Sequence, residues 1–334
     1  MKPLISVNIV TYNSEKFISK SILSVINQSF KRWEIIIVDN GSKDKTIKII
    51  EEFTQNYKKI KFLRINKPNQ PKARNIAIKN SSASLIAVLD SDDECERNRL
   101  EIQYNYMKKN KDIDFLGSYT KVIDENSKIL YQNKYPINSN EIKFNFLFGN
   151  PIAHSTLIFR KNLSLLYDEK LKFSQDREML TRNITKNIYS NIAIPLVRFR
   201  KHNGQKNLKK LKNQKINEFN NLKRNYRVLF DKSLHDKYIN TIISTRNSRE
   251  CTLYQLKLLS DYLSMSYKLF KLKFYNDIED NLFTNFSKKK LTKYSIMCKS
   301  NIFNILSVYS KNSELFSFKG TLIIFSRKVL NIFK

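Results

Sequence analysis

Residues 85–94 read LIAVLDSDDE and combine a run of apolar residues with a cluster of carboxylates. The five apolar residues that open it predict a short strand that is buried on both faces. Four carboxylates then crowd into five positions: Asp90, Asp92, Asp93 and Glu94. Because like charges at one strand end repel each other, a divalent cation with oxygen ligands would relieve the repulsion. The alternative is a solvated acidic loop that caps a helix starting near Arg97.

The rest of the first 115 residues alternates short apolar runs with helical patterns. Predicted strands cover 4–10, 34–38, 60–65 and 85–89. Predicted helices cover about 14–27, 44–53, 71–79 and 97–107. Alternation of strands and helices, with strands that are apolar throughout, predicts βαβ units on a parallel sheet covered by helices on both faces.

The pattern changes after residue 115. Strands are predicted within 115–131, 155–159 and 192–199, and helices at 141–148 and 176–186. Beyond residue 205 the sequence is lysine-rich and helical, without strand alternation. We place a boundary near Gly204, which gives a domain at 1–204 and a basic helical region at 205–334. The change of pattern near residue 115 divides this domain into two parts, 1–115 and 116–204.

The positions of glycine and cysteine and the pattern of the N-terminus argue against several classes of protein. The five glycines are too far apart for a GxGxxG loop or a Walker loop, which argues against NAD enzymes and P-loop ATPases. The three cysteines are dispersed and predict neither disulfides nor a cysteine zinc site. The N-terminus has no signal-peptide pattern, and the uncharged stretch 300–310 is too short to span a bilayer as a helix. A cytoplasmic location is therefore expected.

The chain is strongly basic, with a formal net charge of +31. Residues 201–334 hold 27 of the 61 basic side chains but 9 of the 30 acidic ones. Nucleic-acid binding, an anionic membrane surface and lysine enrichment from an A+T-rich genome all account for such an excess. The charge alone does not choose among them.

Polar side chains cluster where the predicted strands end. Thr11, Tyr12 and Asn13 follow the first strand, and residues 39–42 follow the second. Ligands of open parallel sheets bind at the carboxyl ends of the strands, so these loops and the acidic loop should form one site. With few glycines to cradle a phosphate through the backbone, a carboxylate-held metal is the expected substitute.

Four motifs in order carry a family resemblance: VNIVTYNSEKFISKSILSVINQSF at 7–30, IIIVDNGSKDKT at 35–46, KARN at 72–75 and LIAVLDSDD at 85–93. Together they resemble the family 2 glycosyltransferases over residues 4 to about 205. The resemblance implies an α/β GT-A fold with a Rossmann-like mixed sheet and a nucleotide-sugar donor. It also implies that 1–115 binds the nucleotide-sugar and that 116–204 forms the acceptor side. Three positions depart from the family pattern: Asn40 stands where a second Asp is frequent, and Asn69 and Ala77 where glycine is frequent.

The resemblance also implies roles for individual donor-side residues. Thr11 and Tyr12 would line the nucleotide pocket, and Asp39 would accept a hydrogen bond from the base, usually uracil. Arg74 and Asn75 would lie near the nucleotide. In the Asp-x-Asp motif Asp90-Ser91-Asp92, the first two residues would contact the donor and Asp92 would bind Mn²⁺ or Mg²⁺.

A catalytic base is expected in the second half. The family places it in a Glu-Asp pair that opens a helix, which implies Asp176, with Gln175 in place of the usual Glu and Glu178 as the rival carboxylate. The alternative is that Asp176 only caps its helix. The text FRKH at 199–202 resembles an element that closes over the donor, which implies Arg200 at the leaving diphosphate and His202 on the metal. His154 is expected to be structural and His235 to lie on the surface.

The C-terminal segment 315–333 mixes apolar residues with lysine and arginine at helical spacing. It fits a basic amphipathic helix on an anionic membrane, or a helix that packs on the catalytic domain. No nucleic-acid motif accompanies it, and we expect no nucleic-acid partner.

The sequence therefore predicts an inverting glycosyltransferase that uses a UDP-sugar. Its acceptor would be a lipid-linked or surface glycan precursor, such as that of O-antigen or capsule, at the inner face of the cytoplasmic membrane. An inactive membrane-associated scaffold and a nucleotidyltransferase are the alternatives. The second would need a glycine-rich loop after Val10, which the sequence lacks.

Overall fold

The computed structural model describes residues 2–202, 211–246, 251–274 and 308. The chain divides into two compact units, Met1–Asn217 and Glu218–Lys334. Gly204, where we place the domain boundary, and the amphipathic segment 315–333 lie outside the described residues.

The first part of the chain forms the predicted strand–helix alternation. The strands are β1 (Ile5–Thr11), β2 (Trp33–Asp39), β3 (Ile60–Arg64) and β4 (Leu85–Asp90). The helices are α1 (Ile18–Ile26), α2 (Thr46–Asn56), α3 (Gln70–Asn80) and α4 (Arg99–Lys109). A two-residue strand, β5 (Glu94–Cys95), lies in the acidic stretch, where the sequence pattern gives no signal for one.

The second part is mixed, as expected. Its strands are β6 (Phe115–Ile123), β7 (Ile129–Asn133), β8 (Ile158–Arg160) and β9 (Tyr189–Arg200). Its α-helices are α5 (Ser139–Asn145) and α6 (Gln175–Thr181). The predicted strand at 155–159 begins instead as a 3-10 turn, His154–Thr156. The Thr156 hydroxyl holds this turn by donating to the Ala153 carbonyl at 2.7 Å.

The strands of the described residues form one mixed sheet in the order β3-β2-β1-β4-β8-β6-β9-β5, with β7 beside β6. The neighbours β3, β2, β1 and β4 are parallel, while β8 is antiparallel to both β4 and β6. In register, Thr11 lies opposite Asp39, and Val10 opposite Asp90. The carboxyl ends of β1, β2 and β4 therefore meet at one edge of the sheet.

The core explains why these strands are apolar throughout. One face of the parallel strands packs in a large cluster that includes Val7, Ile9, Ile37 and Leu89, all fully buried. The opposite face meets α3 through Ala73 and Ala77, which are also fully buried. Burial on both faces removes any alternation of polar and apolar residues, which is why the pattern indicates a parallel sheet.

Glu34 ties the opposite, amino edge of the sheet together. Its Oε1 accepts hydrogen bonds from the Ser6 hydroxyl at 2.6 Å, the Ser82 amide at 2.6 Å and the Ser82 hydroxyl at 2.7 Å. Lys61 Nζ lies 3.3 Å from Oε2. Burial by itself raises the pKa of Glu34, but the three hydrogen bonds and Lys61 outweigh it, so the pKa is lowered. The charged carboxylate therefore joins β1, β2 and the loop before β4.

In the second unit, the described residues form helices that pack through aromatic side chains. They are the C-terminal part of α7 (Leu211–Phe230), α8 (Asp236–Arg246) and α9 (Leu253–Phe274), which agree with the helical region predicted there. The rings of Tyr226 and Tyr262 lie 6.0 Å apart, and those of Phe230 and Phe270 6.3 Å apart. His235 is exposed, as predicted. Over the described residues, no helix combines the length and apolarity needed to cross a membrane.

The Glu34 contacts predict a pH-dependent contribution to stability. A carboxyl whose pKa is lowered in the folded state stabilises the protein above its unfolded pKa and loses that contribution as the pH falls. We expect Glu34→Gln to lower the free energy of unfolding by about 1–3 kcal/mol at neutral pH. At about pH 3, below the ordinary glutamate pKa of about 4.3, the difference from wild type should shrink.

Urea unfolding at the two pH values measures this difference. Glu51→Gln, at an exposed position of α2, is the control and should change stability by less than about 0.5 kcal/mol at either pH. A Glu34→Gln deficit that stays constant from neutral to acidic pH would contradict the assignment.

Candidate active site

Asp39, at the end of β2, presents one carboxylate oxygen to the site. Its Oδ2 accepts hydrogen bonds from the backbone amides of Gly41 and Ser42, both at 3.0 Å. Gly41 has φ +85°, a conformation that favours glycine and closes this turn. The other oxygen, Oδ1, is buried without a hydrogen-bond partner among the described residues. A buried acceptor of this kind is stabilised when a ligand supplies an N–H or O–H donor.

Thr11 lies beside Asp39 in the sheet register and is also buried. Its hydroxyl likewise has no hydrogen-bond partner within the described ranges. The following residue, Tyr12, is exposed. The loops after β1 and β2 are tied together because the Asn13 amide donates to the Ser42 hydroxyl at 2.9 Å and the Asn13 side chain accepts from the Lys43 amide at 2.8 Å. The Thr11 hydroxyl and Asp39 Oδ1 therefore lie in neighbouring strands, next to loops that are joined to each other by hydrogen bonds.

Asp90, the last residue of β4, lies beside an arginine and a histidine. Its Oδ1 is 3.7 Å from Arg74 Nη2 and 3.6 Å from His154 Nδ1. Burial would raise the pKa of Asp90, but His154, Arg74 and Arg99 lower it to about 2. Asp90 is therefore a stable anion. The next residue, Ser91, places its hydroxyl 2.8 Å from that of Ser14, so the acidic loop is also joined to the loop after β1.

Asp92 and His202 form the candidate metal pair. Asp92 Oδ2 lies 3.0 Å from His202 Nε2, and both side chains are partly exposed. Burial and the Asp90 charge raise the pKa of Asp92. Burial, with the charges of Asp92 and Asp90, raises the pKa of Asp93 well above its usual value. An added cation at this loop would oppose both shifts.

The described residues hold no group of three or more Asp, Glu, His or Cys side chains that could bind a metal by themselves. Mg²⁺ and similar ions are commonly held by one or two carboxylates together with the phosphates of a substrate. A carboxylate and an imidazole within 3.0 Å of each other, at a crowded acidic loop, fit that kind of shared site. The residues present are thus compatible with the predicted Mn²⁺ or Mg²⁺.

Arg200, the last residue of β9, is fully buried and holds the acidic loop in place. Its Nε donates to the Asp92 carbonyl at 2.8 Å, and its backbone amide donates to Asp93 Oδ1 at 2.8 Å. The guanidinium also pairs with Glu94 and reaches the carbonyls of Asp124 and Glu125. In this conformation it positions the loop, and the predicted contact with a diphosphate would require these bonds to change.

The predicted base helix, α6, lies within reach of the donor-side residues. Asp176 Oδ2 accepts a hydrogen bond from Asn150 Nδ2 at 2.8 Å. Its neighbour Gln175 accepts from Arg74 Nη1 at 3.2 Å, so Arg74 links α3 to α6. The rival Glu178 pairs with Arg182 at 2.6 Å, four residues along the same helix. That ion pair leaves Asp176 as the better placed of the two carboxylates.

Asn75 makes contacts of a different kind from those predicted for it. It is buried, donates to the Tyr167 carbonyl at 2.9 Å and to Glu169 Oε1 at 3.0 Å, and accepts from the Tyr167 amide at 2.8 Å. It therefore fastens the loop around Tyr167 to α3. A direct contact of Asn75 with the nucleotide stays a prediction.

His154 and Tyr167 belong to the site, although the sequence reasoning treats the first as structural and does not single out the second. His154 Nε2 lies 2.9 Å from the Tyr167 hydroxyl, while Nδ1 faces Asp90. The Arg74 guanidinium lies over the Tyr167 ring at 5.3 Å. Burial raises the pKa of Tyr167, so its hydroxyl stays protonated. No local motif marks Tyr167, because its place depends on Asn75, 92 residues away.

The structure brings most of the predicted site residues to one edge of the sheet. Those at the strand ends or on the acidic loop are Thr11, Tyr12, Asp39, Asp90, Ser91 and Asp92, with His202 hydrogen-bonded to the last. Arg74 joins Asp90 to the helix of Asp176. Asn75 and Arg200 are engaged instead with the protein around them.

Comparison with known proteins gives consistent matches. A sequence model described as Glycosyl transferase family 2 matches residues 6–167. An uncharacterized glycosyltransferase of Methanocaldococcus jannaschii is 36% identical over 236 residues, which cover 68% of this chain and 80% of that protein. The UDP-Glc:alpha-D-GlcNAc-diphosphoundecaprenol beta-1,3-glucosyltransferase WfgD of Escherichia coli is 34% identical over 155 residues, or 46% of this chain and 55% of WfgD.

A solved structure is similar over almost the whole chain. The crystal structure of S. aureus TarS 1–349 in complex with UDP-GlcNAc aligns with a TM-score of 0.57 and 18% sequence identity. The alignment covers 97% of this chain and 90% of that one. At this identity the likeness shows a shared fold.

The buried contacts of Arg200 predict a large loss of stability when the side chain is removed. Arg200→Met leaves Glu94 without its buried partner, and we expect the free energy of unfolding to fall by about 3–5 kcal/mol. Urea unfolding measures the change. The control is Arg198→Met in the same strand, whose side chain is 36% exposed and pairs with Glu96; that loss should stay near 1 kcal/mol or less, as for exposed pairs. Equal losses for the two variants would contradict the role given to Arg200.

Proposed function

The chain belongs to glycosyl transferase family 2, and from this premise we propose that it transfers one sugar from a UDP-sugar to a lipid-linked glycan precursor, with inversion at the anomeric carbon. Membership confirms the family resemblance and the enzyme class, and the likeness to TarS confirms the predicted GT-A fold. The observation that carries the proposal is the open carboxylate oxygen of Asp39 on the same sheet edge as the Asp92–His202 pair.

The donor would bind with its base against Asp39. The N3–H of uracil is a donor that suits the unfilled Oδ1, and the Thr11 hydroxyl stands next to it. WfgD is named for UDP-Glc, and TarS has been crystallised with UDP-GlcNAc, which supports a uridine nucleotide. Asp90, held as an anion, would accept hydrogen bonds from the ribose hydroxyls.

Asp92 and His202 would hold Mn²⁺ or Mg²⁺. When bound, such an ion supplies positive charge to the departing diphosphate. Arg200 keeps the Asp92 backbone in place through the hydrogen bond to its carbonyl, and Phe17 packs against His202 with ring centroids 4.9 Å apart. Both metal-binding side chains are therefore supported by buried neighbours.

Asp176 would act as the general base. As the acceptor oxygen forms its bond to the anomeric carbon, the bond from that carbon to the diphosphate oxygen breaks, and the hydroxyl proton passes to Asp176. Asn150 holds Oδ2 by its hydrogen bond, which leaves Oδ1 to receive the proton. Attack from the face opposite the leaving group gives inversion.

The acceptor would be a glycan on a polyprenyl diphosphate. The name of WfgD specifies a sugar on diphosphoundecaprenol, and the excess of basic residues in this chain is suited to a negatively charged diphosphate and membrane surface. Such an acceptor would place the enzyme at the inner face of the cytoplasmic membrane, in the assembly of O-antigen, capsule or a related polysaccharide.

The proposed base gives a direct test. Asp176→Asn should lower the rate of UDP release in the presence of acceptor and Mn²⁺ by about 10²–10⁴-fold, the usual contribution of a general base. The KM for the donor should change little, because Asp176 faces the acceptor. Glu178→Gln is the matched control on the same helix and should keep most of the rate. Asp92→Ala should also lose activity. Wild-type transfer by both Asp92→Ala and Asp176→Asn would contradict the site.

The nucleotide base gives a second test. Asp39→Asn replaces a carboxylate oxygen by an amide, and we expect UDP binding to weaken about 10–100-fold, since a buried charged hydrogen bond is worth about 1.5–3 kcal/mol. The preference for UDP over CDP should fall as well, because the cytosine N3 accepts a hydrogen bond where the uracil N3–H donates one. Calorimetry with both nucleotides measures this. Unchanged UDP affinity would rule out Asp39 as the base contact.

A further inference from the structure

Strand β7 exposes three consecutive apolar side chains. Ile129, Leu130 and Tyr131 are 53%, 50% and 45% exposed. Successive side chains of a strand point to opposite faces, so Leu130 lies on one face and the other two on the opposite face. Within the described parts of the chain, the side chains on both faces of this strand are therefore about half exposed. Single exposed apolar residues are ordinary on protein surfaces, but a run of three on both faces of one strand indicates an interaction site.

The strand is also an edge. Within the described residues β7 pairs only with β6, and the pairing carries a bulge between Val122 and Ile123. Long, flat apolar edges invite pairing with another strand, and bulges and flanking lysines are common protections against that. Here Lys128 and Lys134 flank the strand at its two ends, and both are exposed. The bulge and the lysines thus disfavour pairing of β7 with a further strand, while the side chains of β7 remain apolar.

Positive charge surrounds these apolar side chains. Besides the two flanking lysines, exposed Lys201 lies over the Tyr131 ring, with Nζ 4.9 Å from the ring centroid, and donates a hydrogen bond to the Tyr131 hydroxyl. The acidic residues of the adjoining turn are Asp124, whose carboxylate accepts the backbone amides of Asn126 and Lys128, and Glu125. Apolar and aromatic groups among lysines form the composition that suits the headgroup region of an anionic bilayer.

The turn of this hairpin is anchored to the candidate active site. Arg200 donates to the carbonyls of Asp124 and Glu125 at 2.8 and 3.0 Å. The Ser127 hydroxyl donates to Glu94 at 3.0 Å. Arg200 also binds the Asp92 carbonyl, so the same side chain contacts both the hairpin turn and the acidic loop. A surface that binds the hairpin would therefore lie close to the sugar-transfer site.

We propose that Ile129, Leu130 and Tyr131, with Lys128, Lys134 and Lys201, form a membrane-contact ribbon that lies in the headgroup region of an anionic bilayer. The interface of a bilayer can cover both faces of an edge strand, whereas a flat protein partner covers one. The lysines interact with anionic lipid phosphates while the apolar side chains enter the boundary of the acyl chains. The ribbon includes no residue of the C-terminal segment 315–333, and it adds to the proposed function a way of bringing a lipid-linked acceptor to the catalytic edge.

Flotation of the full chain with vesicles tests the ribbon. The variant Ile129→Thr, Leu130→Thr, Tyr131→Thr keeps residues that favour strands and removes most of the apolar surface. Its binding to vesicles of phosphatidylcholine with phosphatidylglycerol should weaken by about tenfold or more, since each buried methylene contributes to such binding. Tyr131→Thr alone should weaken binding measurably. Tyr57→Thr is the matched control, because Tyr57 is 37% exposed and follows α2, which packs on the far strand β3; it should bind like wild type.

Two further measurements complete the test. Urea unfolding should give the triple variant the same midpoint as wild type, because substitutions at exposed positions usually have small effects on stability. UDP binding should be unchanged, which separates the ribbon from the proposed catalytic function. If the triple variant floats as wild type does, or if Tyr57→Thr loses binding equally, the proposal is overturned. A wild-type dimer that the triple variant converts to monomers would also overturn it, because a second copy would then cover the ribbon.

Discussion

The repulsion among the carboxylates after β4 is the constraint on which the rest of the site depends. Asp90, Asp92, Asp93 and Glu94 follow a strand with no polar residue before them, so their charges must be balanced by other parts of the chain. His154 and Arg74 face the first of them, His202 the second, and Arg200 the last two. These four partners come from three separate regions of sequence. The acidic loop is therefore balanced by side chains from α3, from the segment before β8 and from the end of β9.

The balance of charge is uneven along the acidic loop. Asp90 has enough cationic neighbours to keep its pKa low, while the pKa values of Asp92 and Asp93 remain raised. Asp92 and Asp93 are thus less well neutralised than Asp90 at the strand end. A cation that arrives with a diphosphate would complete the compensation. Binding of the cation and its diphosphate would then relieve the repulsion among the carboxylates of the acidic loop.

Much of the fold could be predicted from local pattern. Apolar strands such as 34–38, flanked by helical periodicity, identify the parallel half, and the strand ends locate Thr11, Asp39 and the acidic loop. The pattern does not predict β5, because two residues are too few to show alternation. It also does not predict the contacts of Arg200, because the backbone carbonyls that its guanidinium binds belong to loops distant in sequence. His154 and Tyr167 were missed for the same reason: their partners are distant in sequence.

Glu34 forms a second hydrogen-bonded cluster, at the edge of the sheet opposite the acidic loop. Its three hydrogen bonds and Lys61 fasten the amino edge of the same strands whose carboxyl edge bears the charged loops. The contacts of Glu34 at the amino edge share no residue with the acidic loop at the carboxyl edge. Such a separation allows the loops at the carboxyl edge to change in sequence without the strands coming apart. A sheet held in this way is a robust scaffold for loops of different sequence.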